Sequence, residues 1–206
     1  MNRMPLAPQP EAGTRARIVE ASTDLFGHRG YAGTGLKAIL AASAAPFGSL
    51  YHFFPGGKEE LGATAIRAGG ATYRELVELF YRPGGDVVAA TRDFFAGAGE
   101  TLRTTDYADA CPIATIALET ASTSEPMRTA AAEVFNSWLT VLELRFTEAG
   151  LMPSSARELA VELFCAIEGA FLLCRATRST EAMQVAGRAS VARVTAALAA
   201  PTDPSA

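Results

Sequence analysis

Apolar residues recur every three to four positions along nearly all of this 206-residue chain. No segment shows the strict alternation of apolar, often β-branched residues with polar ones that marks a half-buried strand, and alanine is abundant throughout. A period near 3.6 places the apolar side chains on one face of a helix, whereas a strand needs a period of two. The sequence therefore predicts an all-α fold.

Residues that break helices divide this pattern into segments. Gly30, the turn at 43–46 and the run Pro55-Gly56-Gly57 separate short helices near the N-terminus, and Thr14 and Thr34 are placed to cap two of them. The longer helix from about residue 58 is expected to turn Leu61, Ile66 and Leu76 inward. The other predicted helices span about 14–28, 34–43, 47–53, 86–104, 110–123, 126–149, 154–177 and 180–199.

Two short helices joined by a tight turn and preceded by a longer helix are typical of a helix-turn-helix module. We therefore predict a three-helix DNA-binding domain over residues 12–56 and a helical domain over 57–199. The proline-containing ends, 1–11 and 200–206, are predicted to be disordered tails. Residues 1–70 carry seven Lys or Arg and five Asp or Glu, whereas the remaining residues carry eleven and seventeen. A basic N-terminal part is compatible with a nucleic-acid partner despite the net charge of −4.

Composition excludes several other classes. An apolar share of 49% and a charged share of 19% do not fit a disordered chain. No stretch approaches the roughly 20 apolar residues that span a bilayer, and the first residues lack the apolar segment of a secretory signal, so we expect a cytoplasmic protein without membrane contact. With two histidines and no CxxC or HExxH pattern, no metal site, cofactor or catalytic activity is predicted.

The segment from Thr34 to Leu61 carries the strongest functional signal. Thr34 could direct its hydroxyl to a DNA phosphate, and Ser49, Tyr51 and His52 lie on the face left free when Leu50 and Phe54 turn inward. Lys58, after a flexible Pro-Gly-Gly, could reach the sugar-phosphate chain. The predicted DNA-binding residues are Thr34, Lys37, Phe47, Gly48, Ser49, Tyr51, His52 and Lys58.

The runs Leu50-Tyr51-His52-Phe53-Phe54 and Lys58-Glu59-Glu60-Leu61 resemble the signature of TetR-family transcriptional regulators. The variant Pro55-Gly56-Gly57-Lys58 is similar to a subgroup of this family that includes the lincomycin-resistance-type and flavonoid-responsive repressors. That resemblance continues through Cys111-Pro112-Ile113-Ala114, Glu125-Pro126 and Glu168-Gly169-Ala170. Three departures stand out. Phe53 replaces a family histidine, Ser43-Ala44-Ala45 replaces the usual Ala-Gly-Val turn, and Phe47 replaces a polar residue. Phe47 is either a buried plug or a contact to a thymine methyl group.

The resemblance implies a homodimer formed through helices 154–177 and 180–199, bound to a palindromic operator as a repressor. The helix at 154–177 is apolar nearly all round and independently needs such a cover. A small hydrophobic or aromatic inducer would bind in the C-terminal domain and release the DNA. The expected inducer-binding residues are Phe94, Phe95, Cys111, Ile113, Trp138, Phe164, Glu168 and Phe171.

Two other functions remain open at this point. One is an all-α ligand-binding protein or enzyme that uses the C-terminal pocket without DNA, for which Glu168 with Glu119 is the candidate acid–base pair. The other is a protein–protein module in which the short helices bind an adaptor. Cys111 is also a conceivable redox sensor.

Overall fold

The computed structural model describes residues 13–109 and 111–200, and it confirms the all-α prediction: within these residues the chain forms helices and no strand. None of these helices has the length and apolar character needed to cross a membrane. The predicted tails lie outside the described residues except for Ala200. The helices are α1 (Thr14–Arg29), α2 (Leu36–Ala42), α3 (Ser49–Phe53), α4 (Gly57–Phe80), α5 (Val87–Thr104), α6 (Pro112–Thr120), α7 (Glu125–Glu148), α8 (Pro153–Thr177) and α9 (Glu181–Ala199).

Helix ends follow local chemistry, and two predicted caps are wrong. Asp86 caps α5, because its side chain accepts hydrogen bonds from the amides of Val88 and Ala89. Gly13 rather than Thr14 occupies the cap position of α1, and Gly35 rather than Thr34 that of α2. α6 ends at Thr120, three residues earlier than predicted.

The chain forms two compact units that are not continuous in sequence. Unit 1 takes in the chain up to Gly69 together with Pro112–Ala132, and unit 2 takes in Gly70–Cys111 together with the chain from Glu133 onward. The boundary predicted between residues 56 and 57 separates a DNA-binding domain from the rest of the chain by function, and it stays a prediction. The packing boundary lies further along the chain, within α4.

Unit 1 is built around the inner faces of the first four helices. The predicted inward residues Leu50, Phe54, Leu61 and Ile66 are buried there. Apolar side chains from all four helices and from α6 and α7 share this core: Ile18, Phe26, Ile39, Leu50, Phe54, Leu61, Ile66, Ile113 and Met127.

Unit 2 packs α9 onto α5 and α8. Its core includes the buried rings of Tyr81, Phe95 and Phe146, and Trp138 is buried elsewhere in the unit. Leu76, expected to face inward, is 41% exposed, so that prediction is wrong. The helical period places residue 76 one position away from the buried Val77, which takes the inward place instead.

Candidate nucleic-acid interface

The turn between α2 and α3 holds these two short helices against α1. Ala44 adopts the left-handed conformation, with φ of 49°, which the neighbouring residues of this turn do not share. The amide of Ala45 donates to the carbonyl of Leu40, and Nε of Arg17 on α1 donates to the carbonyl of Ser43 over 3.1 Å. The turn is therefore fixed from both sides although it lacks the usual glycine.

One face of α3 and of the turn before it is open to solvent. Leu50 and Phe54 are buried on the inner face, as predicted, while Tyr51 is 57% and Phe47 69% exposed on the outer one. The interpretation of Phe47 as a buried plug is therefore wrong. Ser49 is half-buried on this helix, and three further predicted DNA-binding residues are exposed: Lys37, Gly48 and His52.

Thr34 does not occupy the predicted position. It is buried, and its hydroxyl donates to the carbonyls of Gly30 and Leu25, over 2.8 and 3.2 Å. A buried hydroxyl with two internal acceptors stabilises the loop and does not face a phosphate, so the predicted capping role and the phosphate contact derived from it are wrong.

Lys58 is attached to the loop between α1 and α2. Its ammonium donates to the carbonyl of Tyr31 over 2.6 Å and lies 4.2 Å from the centre of the Tyr31 ring. Partial burial lowers the pKa of Lys58 below its ordinary value, and the negative charge of Glu119 opposes that effect. Because an ammonium carries three donors, Lys58 retains donors for a phosphate while it holds Tyr31.

Glu119 on α6 is a site residue that sequence reasoning did not assign to this module. Its carboxylate accepts a hydrogen bond of 2.8 Å from the amide of Ala32 in the same loop. These two residues are 87 positions apart, so no local pattern could reveal the contact. The acid–base pairing considered for Glu119 with Glu168 receives no support, because the two carboxylates have separate partners in different units.

The expected inducer-binding residues do not form a single site. Phe94 contacts the rings of Phe80, Tyr81 and Phe95. Phe171 is half-buried against the core of unit 2, and Ile113 belongs to the core of unit 1.

A second aromatic cluster surrounds Trp138. It includes Phe164 on α8, and the carboxyl of Glu168 lies one helical turn beyond Phe164. Trp138 contacts the rings of Tyr73, Phe135 and Phe164. Four residues after Phe164, burial raises the pKa of Glu168, and a hydrogen bond with Cys111 acts in the opposite direction. Aromatic rings and this carboxyl thus lie one helical turn apart in unit 2.

Comparison with known proteins gives matches over both parts of the chain. The family model described as "Bacterial regulatory proteins, tetR family" matches residues 18–63, and that described as "Transcriptional regulator LmrA/YxaF-like, C-terminal domain" matches residues 87–189. The chain is similar to the transcriptional regulators YxaF and LmrA of Bacillus subtilis. YxaF is 36% identical over 78% of this chain and 84% of its own length, and LmrA 35% over 78% and 85%.

The fold of the chain is also similar to that of a solved regulatory protein. The crystal structure of the regulatory protein TetR from Rhodobacter sphaeroides superposes with a TM-score of 0.74 at 22% identity, covering 85% of this chain and 96% of its own. That likeness extends over both units of the chain.

Proposed function

This chain belongs to the TetR family of bacterial transcriptional regulators, and from that premise we propose that it is a repressor released from a palindromic operator by a small hydrophobic or aromatic inducer. DNA binding and the regulation of transcription come with the family. Repression, the inducer and the residues that contact each partner are the proposed part.

The open face of α3 is the observation that supports the proposed DNA contacts. The outer face of α3 presents Ser49, Tyr51 and His52. On its inner face, Leu50 and the following Phe54 anchor the helix in the core of unit 1. A helix of this kind reads bases with outward side chains at its N-terminal end. The proposed DNA-binding residues are Lys37, Phe47, Gly48, Ser49, Tyr51, His52 and Lys58.

The exposure of Phe47 favours its interpretation as a contact to a thymine methyl group. An exposed phenyl ring next to a recognition helix is costly in water and suits contact with the methyl group of a thymine. Tyr51, which is also exposed, can donate its hydroxyl to a phosphate. Phe47 and Tyr51 thus supply an apolar and a polar contact side by side.

The outward faces of α8 and α9 support a homodimer formed through these helices. On α8, Leu172 and Leu173 are 66% and 55% exposed, on a face shared with Val161, Cys165 and Gly169. On α9, Val185 is exposed on a stripe of small residues that continues through Ala189, Ala192 and Ala196. Exposed apolar side chains beside small ones permit close packing of a second copy, which a two-fold operator requires.

For the inducer we propose the part of unit 2 around Trp138, Phe164, Glu168 and Cys111. These residues lie in the part of the chain that matches the LmrA/YxaF-like C-terminal domain, outside the match to the N-terminal tetR-family model. A ligand that binds only one arrangement of the dimer shifts the population away from the arrangement that fits DNA. Phe94, Phe95 and Phe171, which lie elsewhere in unit 2, remain proposed as further inducer contacts.

Selection of bound duplexes from random DNA tests the proposal. We expect a two-fold symmetric site whose half-sites are about 34–36 Å apart, and an affinity that falls steeply with salt in a mobility-shift assay. Tyr51→Ala and Phe47→Ala should each weaken binding to that site by about 1–3 kcal/mol. Leu118→Ala is the matched control, because Leu118 is an exposed apolar residue of unit 1 outside the proposed interface.

Two results would contradict the proposal. Recovery of no enriched or no symmetric sequence would argue against an operator-binding dimer. Equal losses in all three variants would show that the outer face of α3 has no particular role in contacting DNA.

A further inference from the structure

The arginines of unit 2 fall into two groups. Eight of its ten arginines donate to an acceptor: six to a carboxylate, as in Arg193 with Glu162, and two to a backbone carbonyl. Arg92 and Arg188 are the two that have no partner among the described residues. Arg92 lies on α5 and Arg188 on α9, and both are exposed.

These two arginines line the same groove. It lies between α5 and α9, has a volume of about 680 Å³, and also includes Arg103 and Glu100 on its wall. Glu100 is the one acidic residue of the lining, and both of its oxygens are taken by Arg103. Arg92 and Arg188 therefore leave two positive charges uncompensated, on a chain whose net charge is −4.

The floor of the groove is apolar, and small residues line it on both helices. Phe95 and Met183 lie at its base, and both are nearly fully buried. Gly187 lets α9 approach α5, because a Cβ there would lie 2.9 Å from the Cβ of Phe95. Ala96 and Gly99 on the α5 side leave space above this floor.

We propose that this α5–α9 groove is a binding site for an amphipathic organic anion. Its carboxylate or sulfonate group binds Arg92 and Arg188, and its apolar part lies along Phe95 and Met183. A guanidinium presents a planar set of donors that matches such oxyanions, and the volume lies within the range of small-molecule sites. The site does not depend on the proposed inducer region, with which it shares only Phe95.

Binding of 1-anilinonaphthalene-8-sulfonate to the full-length protein, followed by fluorescence, tests the proposal. Dodecanoate should displace the probe, while dodecanol and dodecyltrimethylammonium, which carry the same chain without the negative charge, should not. The double variant Arg92→Gln/Arg188→Gln should weaken the binding of both anions about tenfold or more, because each anion loses hydrogen bonds to a charged guanidinium group. Arg74→Gln/Arg193→Gln removes the same charge from exposed, paired arginines outside the groove and should change affinity less than twofold.

A second variant tests the apolar part of the site. Ala96→Phe fills the groove from an exposed position on α5 and should abolish displacement by dodecanoate while both arginines remain. The proposal is overturned if the two double variants bind alike, if dodecanol competes as well as dodecanoate, or if Ala96→Phe has no effect. It is equally overturned if Arg92→Gln/Arg188→Gln changes the molecular mass in solution, since a second copy of the chain would then cover the groove.

Discussion

The two units use polar side chains in different ways. In unit 1, side-chain hydrogen bonds hold the segment from Gly30 to Ser43: Thr34 within it donates to Gly30 and Leu25, and the more distant Arg17 and Lys58 donate to Ser43 and Tyr31. In unit 2, Arg74, Arg103 and Arg145 pair with carboxylates three or four positions away on the same helix, and Arg157, Arg178 and Arg193 pair with carboxylates of other segments. The short helices of the DNA-binding module thus rely on hydrogen bonds between their loops and neighbouring helices, whereas in unit 2 such contacts add to the packing of apolar and aromatic side chains over long helices.

Helix length explains this contrast. α2 has seven residues and α3 five, which is too short for a helix to be stable by itself, and each buries few apolar side chains. Hydrogen bonds to the loops that connect them therefore supplement the few buried apolar side chains, such as Ile39 and Leu50, that anchor these helices. α7 and α8 have 24 and 25 residues, and their long apolar faces supply the burial that holds unit 2 together.

The largest expected effect concerns the packing of unit 2. Trp138 is buried among three aromatic rings, and its indole N–H donates to the carbonyl of Gly70 over 2.8 Å. Trp138→Ala should lower the free energy of unfolding by about 3–5 kcal/mol, because it leaves a cavity and removes the hydrogen bond to Gly70. Urea denaturation followed by circular dichroism measures this loss.

Trp138→Phe is the matched control for that experiment. It retains an aromatic ring but removes the hydrogen bond to Gly70, so its loss should be clearly smaller than that of Trp138→Ala. If the two variants lost the same stability, the hydrogen bond rather than packing would dominate this site, and the contrast between the units would not hold.

An intermediate effect is expected where unit 1 depends on a directed bond. Thr34→Val keeps the shape of the side chain but removes the hydroxyl that donates to Gly30 and Leu25. The carbonyls left behind are partly desolvated, so we expect a loss of about 1–2 kcal/mol in thermal or urea unfolding. Thr34→Ser retains the hydroxyl and should lose less. Stability equal to the parent in Thr34→Val would show that burial alone fixes this loop.

The sequence predicted what depends on local pattern. Period and punctuation placed the helices within a few residues, and they assigned Leu50 and Phe54 to the inner face of the module. The cap at Thr34 failed because Gly35 intervenes before the first helical residue. The bond from Lys58 to Tyr31 spans 27 positions and that from Glu119 to Ala32 spans 87, and only the fold brings these partners together.

The sequence separated the buried and exposed residues of α3 better than it grouped the residues proposed for the inducer, for a related reason. A recognition helix is one short segment, whereas a cavity is formed by side chains from several helices. Ile113 and Trp138 are both buried apolar residues, yet they belong to different units. Which of two buried apolar residues lines a site therefore depends on how the helices are arranged.

The smallest expected effect concerns the turn between α2 and α3. Ala44 has φ of 49°, a conformation that costs an L-residue about 1–2 kcal/mol, and glycine adopts it without that cost. Ala44→Gly also increases the freedom of the unfolded chain, which offsets about 0.4–1 kcal/mol of the gain. We therefore expect a net stabilisation of about 0.5 kcal/mol, seen as a small rise in the midpoint of urea unfolding.

Ala41→Gly, three positions earlier, is the control for the small effect of Ala44→Gly. Ala41 is exposed within α2 and has ordinary helical geometry, so the same substitution there should destabilise the protein by about 1 kcal/mol. The opposite signs of the two variants isolate the backbone strain at residue 44, because the side chain removed is identical. A loss of stability in Ala44→Gly as large as that in Ala41→Gly would show that the turn carries no such strain. The bonds of Arg17 to Ser43 and of Ala45 to Leu40 would then suffice to hold it with alanine.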